Sequence, residues 1–283
     1  MNGFRIAIIQ MAVSADKQQN LADAAGYLAH LAQPGPERPD LVLLPEMFCC
    51  PYQTTLFPAY AEAEGGETWQ RLAELAAKHR IYLAAGSMPE SDDGRIYNTA
   101  YIFDRQGRLI GKHRKMHLFD INITGGQYFK ESDTLSPGDT ATVFPTEFGV
   151  MGLCICYDLR FPELARRMAD LGAQVILVPG AFNMTTGPAH WELLFRARAL
   201  DNQAFLAGAA PARDWTAGYH SWGHSILVDP WGTVLGQLDE KPGCLTGAID
   251  LDLAARIRSE LPLLAHRRRD LYAIDWKDQP DRG

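Results

Sequence analysis

What the 283-residue sequence lacks narrows its reading first. No stretch approaches the roughly 18 continuous apolar residues of a membrane span, so neither a spanning helix nor a membrane partner is expected. No proline- or glycine-rich linker divides the chain. Gln33-Pro34-Gly35-Pro36-Glu37-Arg38-Pro39 is short enough to be a loop between elements. With 47% hydrophobic residues, the whole of 1–283 is expected to form one domain around a substantial core. Cysteine is sparse: Cys49, Cys50, Cys154, Cys156 and Cys244 are odd in number, and the first two are adjacent. With no recognisable leader, this pattern argues against a disulfide framework and for a reducing, cytoplasmic setting. Cys154-Ile155-Cys156 is not Cys-x-x-Cys and has no second pair, so no zinc site is expected. Positive charge is also short, 27 Lys and Arg against 34 Asp and Glu, for a net −7. Such a chain gains little from counterion release, so nucleic acid is not an expected partner. The basic cluster His266-Arg267-Arg268-Arg269, with Asp270 and Asp275 nearby, reads as a solvated face or a subunit contact.

What is present is an α/β pattern. Strands are expected at 4–10, 41–44, 82–86, 99–103, near 109, and at 150–155, 175–178, 205–209, 225–228 and 247–249. Helices are expected at 15–32, 67–79, 162–171, 189–203 and 251–259. Leu41-Val42-Leu43-Leu44 is an unbroken apolar run closed by Pro45-Glu46, the pattern of a strand buried on both faces. Residues 112–140 show no periodicity and read as one long loop, a length usually associated with function. One internal echo stands out. Residues 41–48 and 175–182 both run apolar strand, proline, two variable positions, phenylalanine. The echo points to two similar halves whose strand ends converge where open α/β sheets bind ligands. From about 262 the chain turns polar, with Leu271, Tyr272 and Trp276 as anchors for a subunit contact.

The chain is organised around residues 151–163, Met-Gly-Leu-Cys-Ile-Cys-Tyr-Asp-Leu-Arg-Phe-Pro-Glu. The apolar run stops at Cys156, and Pro162 opens a helical pattern, as proline favours a first helical position. A cysteine on a sharp strand-to-helix turn presents its sulfur above the sheet edge. Nearby helix-start amides would favour its thiolate. A lone cysteine, however, is more often a small packed hydrophobe, so the assignment depends on partners. Glu46 sits just beyond a buried strand, where desolvation would raise its pKa and suit a base that must also act as an acid. An ordinary loop-start glutamate is the alternative. Lys115, among His113, Arg114, Met116 and His117, reads by itself as one solvated cation among several.

Taken together, Leu44-Pro45-Glu46, residues 114–119 (Arg-Lys-Met-His-Leu-Phe) and residues 156–163 resemble, in order and spacing, the Glu-Lys-Cys signature of the nitrilase superfamily. The resemblance runs from residue 4 to about 276. Residues 179–192, 198–203, 211–214 and 222–225 are similar to its omega-amidase branch, which hydrolyses the distal amide of 2-oxoglutaramate and 2-oxosuccinamate. The resemblance implies a four-layer α-β-β-α sandwich, pairing into a homodimer through one helical layer, and chemistry without metal or organic cofactor. It implies Cys156 as the nucleophile that forms a thioester, and Glu46 as its general base and acid. Lys115 and the backbone N–H of Tyr157 would hold the oxyanion. Glu131 matches the family's second glutamate, which orients the amide and the lysine.

For a carboxylate-bearing amide, Arg160 is the expected clamp, because guanidinium binds carboxylate bidentately. A salt bridge to Asp158 or Glu163 is its alternative. Phe182 and Thr186 match positions lining the acyl pocket, and Tyr52 a substrate-side tyrosine; each has packing or a turn hydrogen bond as the alternative. His117, His190 and His224 are assigned to structure, and Cys154 is expected to be buried and inert. Two departures bear on pocket shape: residues 120–127, where the family often carries an acidic residue and proline-glycine, and the Cys49-Cys50 pair. Amidases of deaminated glutathione share most of these motifs, and N-carbamoyl amide hydrolases are more distant. Asn183 and Asp201-Asn202-Gln203 favour the omega-amidase branch. A silent binding subunit would tend to lose one of Glu46, Lys115, Glu131 and Cys156, yet all four are present.

Overall fold

The computed structural model describes residues 2–124 and 128–277. Two large sheets carry the fold. The first runs Gly243–Asp250, Gly3–Gln10, Leu41–Leu43, Tyr82–Ala84, Arg95–Phe103, Met88–Asp92, with Leu109–Arg114 also paired to Arg95–Phe103. The second runs Val234–Gln237, Ile226–Val228, Phe205–Ala209, Val175–Pro179, Gly149–Leu153, Thr142–Thr146. At the centre of each lie three parallel strands. Parallel neighbours need a crossover. Helices Lys17–Leu31 and Glu67–His79 supply it in the first sheet, Pro162–Asp170 and Gly187–Asn202 in the second.

Side-chain alternation sets the layers. Ile6, Ile8, Leu41, Leu43 and Ala84 share a buried cluster with Leu153, Leu177, Ala207 and Leu227 of the second sheet. Their neighbours Ala7, Ile9, Val42, Leu44 and Leu83 instead join Leu21 and Leu28 of one helix and Leu72 and Leu75 of another. Because successive strand residues face opposite ways, the first sheet has one face on its twin and one on helices. The second sheet packs its outer face on Gly187–Asn202 so closely that a Cβ on Gly208 would lie 2.3 Å from the Phe195 ring. The result is helix, sheet, sheet, helix, the sandwich the sequence resemblance implied.

Several local expectations need correction. Residues 112–140 are not one loop. Their start belongs to Leu109–Arg114; Asp120–Asn122 and Tyr128–Lys130 form a small ribbon, and Glu131–Asp133 a 3-10 turn. Met88–Asp92, Thr142–Thr146 and Val234–Gln237 are strands without a clear sequence signal, since each lies at a sheet edge and carries polar or proline positions. Part of the basic cluster serves the chain itself: Arg267 and Arg269 reach Asp170 at 2.6 and 3.4 Å. Trp276 packs back against the core, whereas Leu271 and Tyr272 stay exposed. Gly125, Gly126 and Gln127 of the departing stretch, like residues 278–283, lie outside the described residues. All five cysteines are free. Among the described residues, no helix is long and apolar enough to cross a membrane.

Candidate active site

Cys156 follows the second sheet's strand Gly149–Leu153 and ends its run at a backbone φ of 48°. A side-chain-bearing residue enters this left-handed region at a cost of about 1–2 kcal/mol, which surrounding packing must hold in place. The chain then makes a 3-10 turn over Cys156–Arg160 before Pro162 opens the helix. The expected elbow is therefore present, but a tight turn separates the sulfur from the helix proper. The absence of a side chain at Gly180 allows this close approach: a Cβ there would meet the Trp191 ring at 3.1 Å and the Cys156 Cα at 3.4 Å.

Three ionisable groups are buried beside the sulfur. Lys115, expected from local sequence to be solvated, is completely enclosed, as are Glu46 and Glu131. Its Nζ donates to Glu46 Oε1 and to Glu131 Oε1, each at 2.9 Å, and lies 3.3 Å from the Tyr52 hydroxyl. Tyr52 donates to Glu131 Oε1 at 2.6 Å and is 3.2 Å from Glu46 Oε1. The other Glu131 oxygen accepts the Phe119 N–H at 2.7 Å. Asn98, which sequence reasoning missed, donates through Nδ2 to Glu46 Oε1 at 2.8 Å. Glu46 Oε2 accepts the Ala181 N–H at 2.8 Å, and the Glu46 carboxylate is hydrogen-bonded to the Cys156 thiol. Oε1 is thus crowded with donors from Lys115, Tyr52 and Asn98, whereas Oε2 accepts the Ala181 amide.

Burial raises the Glu46 pKa, Lys115 opposes the shift, and Glu131 adds to it. For Lys115, burial works against the ammonium, but Glu131 and Glu46 outweigh it and hold the pKa above the ordinary lysine value. Cys156 is pushed well up, first by burial and then by the Glu46 charge, against the pull of Lys115 and the Ala181 amide. The elbow therefore keeps a thiol at rest, contrary to the thiolate that helix-start amides alone would favour.

Arg160 forms neither of the salt bridges considered for it. Asp158 is taken by His113 and His117, and among the described residues no carboxylate pairs with the guanidinium. Instead Arg160 Nη1 donates to His190 Nδ1 at 2.9 Å, its Cζ lies 4.5 Å from the Phe182 ring centroid, and its Nε is buried without a partner. Phe182 is buried edge-on against Trp191. The Thr186 hydroxyl donates to Asn183 Oδ1 at 3.2 Å, the turn hydrogen bond considered for it from the sequence. Tyr157 stacks edge-on with Phe119 and Phe161, and its N–H lies in the first turn of the 3-10 segment, where amides lack earlier helical carbonyls. His117 and His190 make the contacts just named, and His224 stacks on Trp222. Cys154 is buried, and desolvation raises its pKa, as expected of an inert thiol. Cys50 borders a cavity of about 470 Å³ that opens beside Glu46 and is walled by Tyr52, Phe129 and Tyr219. Tyr219 also escaped the sequence reading; its hydroxyl donates to the Ala181 carbonyl. Among the described residues, no group of three or more His, Cys, Asp or Glu side chains is arranged to hold a metal ion.

Comparison with known proteins agrees with this chemistry. The omega-amidase NIT2 of Mus musculus is 50% identical over 277 residues, spanning 98% of this chain and 99% of that protein. The crystal structure of Saccharomyces cerevisiae Nit3, a member of branch 10 of the nitrilase superfamily, superposes with a TM-score of 0.87 at 40% identity, over 94% of this chain and 97% of that one. A glutamate-to-leucine mutant of the amidase from Nesterenkonia sp. AN1 shows covalent addition of the acetamide moiety of fluoroacetamide at its active-site cysteine. It superposes with a TM-score of 0.78 at 28% identity, over 94% and 95% of the two chains. The sequence profile of the family described as carbon-nitrogen hydrolase matches residues 5–259. With the sandwich and the buried glutamate-lysine-cysteine cluster in view, we conclude that the chain belongs to the carbon-nitrogen hydrolase family.

Proposed function

We propose that this chain is an omega-amidase that hydrolyses the distal amide of short 2-oxo dicarboxylic acid monoamides, such as 2-oxoglutaramate and 2-oxosuccinamate, to the acid and ammonia. The observation that carries the reading is a buried acid-base-nucleophile cluster beside a guanidinium that has no carboxylate partner among the described residues. Cys156 attacks the amide carbon while its proton passes to the Glu46 carboxylate, because a raised thiol pKa leaves little free thiolate in advance. The oxyanion is held by the Lys115 ammonium and the Tyr157 N–H. Collapse breaks the carbon–nitrogen bond, the departing nitrogen takes the proton from Glu46, and a Cys156 thioester remains. Glu46 then takes a proton from water as its oxygen attacks the thioester. Collapse of that second adduct releases the acid, and Cys156 regains its proton. Glu131 holds Lys115 in place with Tyr52, and no step calls for a metal or organic cofactor.

Arg160 reads the substrate's far carboxylate, with Phe182 beneath it and Thr186 and Tyr52 bounding the acyl side. One domain does this work in the cytoplasm, as a homodimer. Pairing is supported by Leu193 and Leu200 of the helix Gly187–Asn202 and by Trp231 on the adjacent turn, which together leave apolar surface exposed. A tail from about 262 adds to the subunit contact. The deciding experiment offers purified protein 2-oxoglutaramate, deaminated glutathione and simple N-carbamoyl amides and reads ammonia release. The first should be fastest; a clear preference for another substrate sinks the assignment. No release from any of them would point to a silent binding subunit.

A further inference from the structure

Asp158 is a fully buried carboxylate that the reaction scheme leaves unused. Its surroundings are more specific than packing requires. Oδ2 lies 2.9 Å from His113 Nε2 and accepts the Ile155 N–H at 3.0 Å. Oδ1 accepts the His117 N–H at 2.9 Å and lies 2.7 Å from His117 Nδ1. Burial alone would raise this carboxyl pKa, but the hydrogen bonds from His113 and His117 hold it well below the ordinary aspartate value, so the group is an acceptor throughout the neutral range.

The identity of the donors matters. Ile155 immediately precedes Cys156, and Asp158 follows it by two residues. His113 and His117 flank Lys115, two residues to either side. Lys115 follows Leu109–Arg114 of the first sheet, and Cys156 follows Gly149–Leu153 of the second. Elsewhere the two sheets meet largely through apolar side chains, and such packing is non-directional. Hydrogen bonds to an ionised acceptor are directional and strong. We propose that Asp158 is a positioning residue, a pin across the two sheets that sets where the Lys115 ammonium stands relative to the Cys156 sulfur. A purely local role, capping the Ile155 amide, would account for one of the four donors and leaves both histidine contacts unexplained. The inference rests on the roles given above to Cys156 and Lys115.

Two variants of the full chain test it. Asp158→Asn keeps the volume and removes the charged acceptor. His117→Phe keeps a ring to stack on Phe161, now at 3.7 Å between centroids, and keeps the backbone N–H while removing the imidazole contact. With folding checked by circular dichroism, Asp158→Asn should lower kcat about a hundredfold with KM within about threefold, as displacement of a reacting group by an ångström does. His117→Phe should lose about tenfold in kcat, since one hydrogen bond to a charged acceptor is gone. The double variant should be no worse than Asp158→Asn alone, because both act through one pin. Iodoacetamide alkylation of Cys156, followed by mass spectrometry, reads the same geometry without the amide substrate. A displaced lysine should slow it about tenfold, seating the reagent's carbonyl less well. Faster alkylation would mean the site had merely loosened around a buried thiol, and would overturn the proposal. So would an unchanged kcat in folded His117→Phe, which decides alone if Asp158→Asn does not fold. If the wild type releases ammonia from none of the amides offered, the proposed function fails, while the alkylation comparison still decides the pin.

Discussion

Replacing Lys115 with methionine should harm stability as much as chemistry. The side chain is fully buried and stands between two buried carboxylates, each 2.9 Å away. Lys115→Met fills similar volume but leaves Glu46 and Glu131 facing each other without their cation. Breaking a buried pair by removing one partner costs about 3–5 kcal/mol, a large share of the roughly 5–15 kcal/mol that hold an ordinary domain together. At about 2–4 °C per kcal/mol for a chain of this size, the melting temperature should fall by about 6–20 °C. The sign of the pH dependence follows from Glu46. Its folded pKa is already raised above its unfolded value, and losing Lys115 raises it further. A carboxyl of this kind contributes stability below its unfolded pKa and loses it as pH rises through the folded one. The deficit of Lys115→Met should therefore be largest at neutral and alkaline pH and shrink toward pH values near the ordinary glutamate range. The triple variant Lys115→Met/Glu46→Gln/Glu131→Gln, which removes all three charges, should regain most of the lost stability while remaining inactive. Thermal melts of the three proteins across pH provide the assay. A single variant melting within about 2 °C of wild type at neutral pH would refute the reasoning, since that cost and slope forbid it.

Cys156→Ala should abolish ammonia release while leaving circular dichroism and melting close to wild type; surviving turnover would remove Cys156 as nucleophile. Arg160→Lys replaces a planar fork by a point charge, so KM for carboxylate-bearing amides should rise about tenfold or more while a carboxylate-free amide is little affected. An unchanged KM would refute the clamp. Asn98→Ala removes a donor from Glu46 Oε1, and loss of a hydrogen bond to a charged group is worth about 1.5–3 kcal/mol. Expressed in the barrier, that is about 10- to 150-fold in kcat, and an unaffected kcat would show that Asn98 does not hold the base in place.

The chemical residues were easier to read from the sequence than their supports, for a physical reason. Glu46, Lys115, Glu131 and Cys156 each sit in a short run whose residue types are specific, and the structure brings all four together with Tyr52. What holds them is spread over long separations. Asn98 reaches Glu46 across 52 positions and Asp158 reaches His113 across 45, and neither contact leaves a periodicity. The available signal was a polar pair, Asn98-Thr99, between the aliphatic and aromatic residues of Arg95–Phe103, where a buried amide demands a partner. The central parallel strands were legible because both faces are buried, giving continuous apolar runs. Edge strands such as Met88–Asp92 mix apolar, proline and charged residues without alternation, so their sequences do not distinguish them from loops.

The short echo between 41–48 and 175–182 has a counterpart in three dimensions. Leu41–Leu43 and Val175–Pro179 are each the middle of three parallel strands, one in each sheet, so the repeated sequence marks a repeated place in the fold. The segments leaving these two strands differ in chemistry. The first delivers Glu46; the second delivers the Ala181 N–H that binds Glu46 Oε2, then Phe182 under the Arg160 guanidinium. The two variable positions of the echo, Glu46-Met47 and Gly180-Ala181, are thus where equivalent strand ends divide the labour. One half contributes the proton acceptor, the other the amide that orients it. A carboxylate at the second place would set a like charge against Glu46 beside the sulfur, and a side chain at Gly180 would crowd the Trp191 ring, 3.1 Å from its Cβ. The shared part of the echo is what a buried strand needs to end beside its counterpart, and the divergent part is what the reaction needs at that junction.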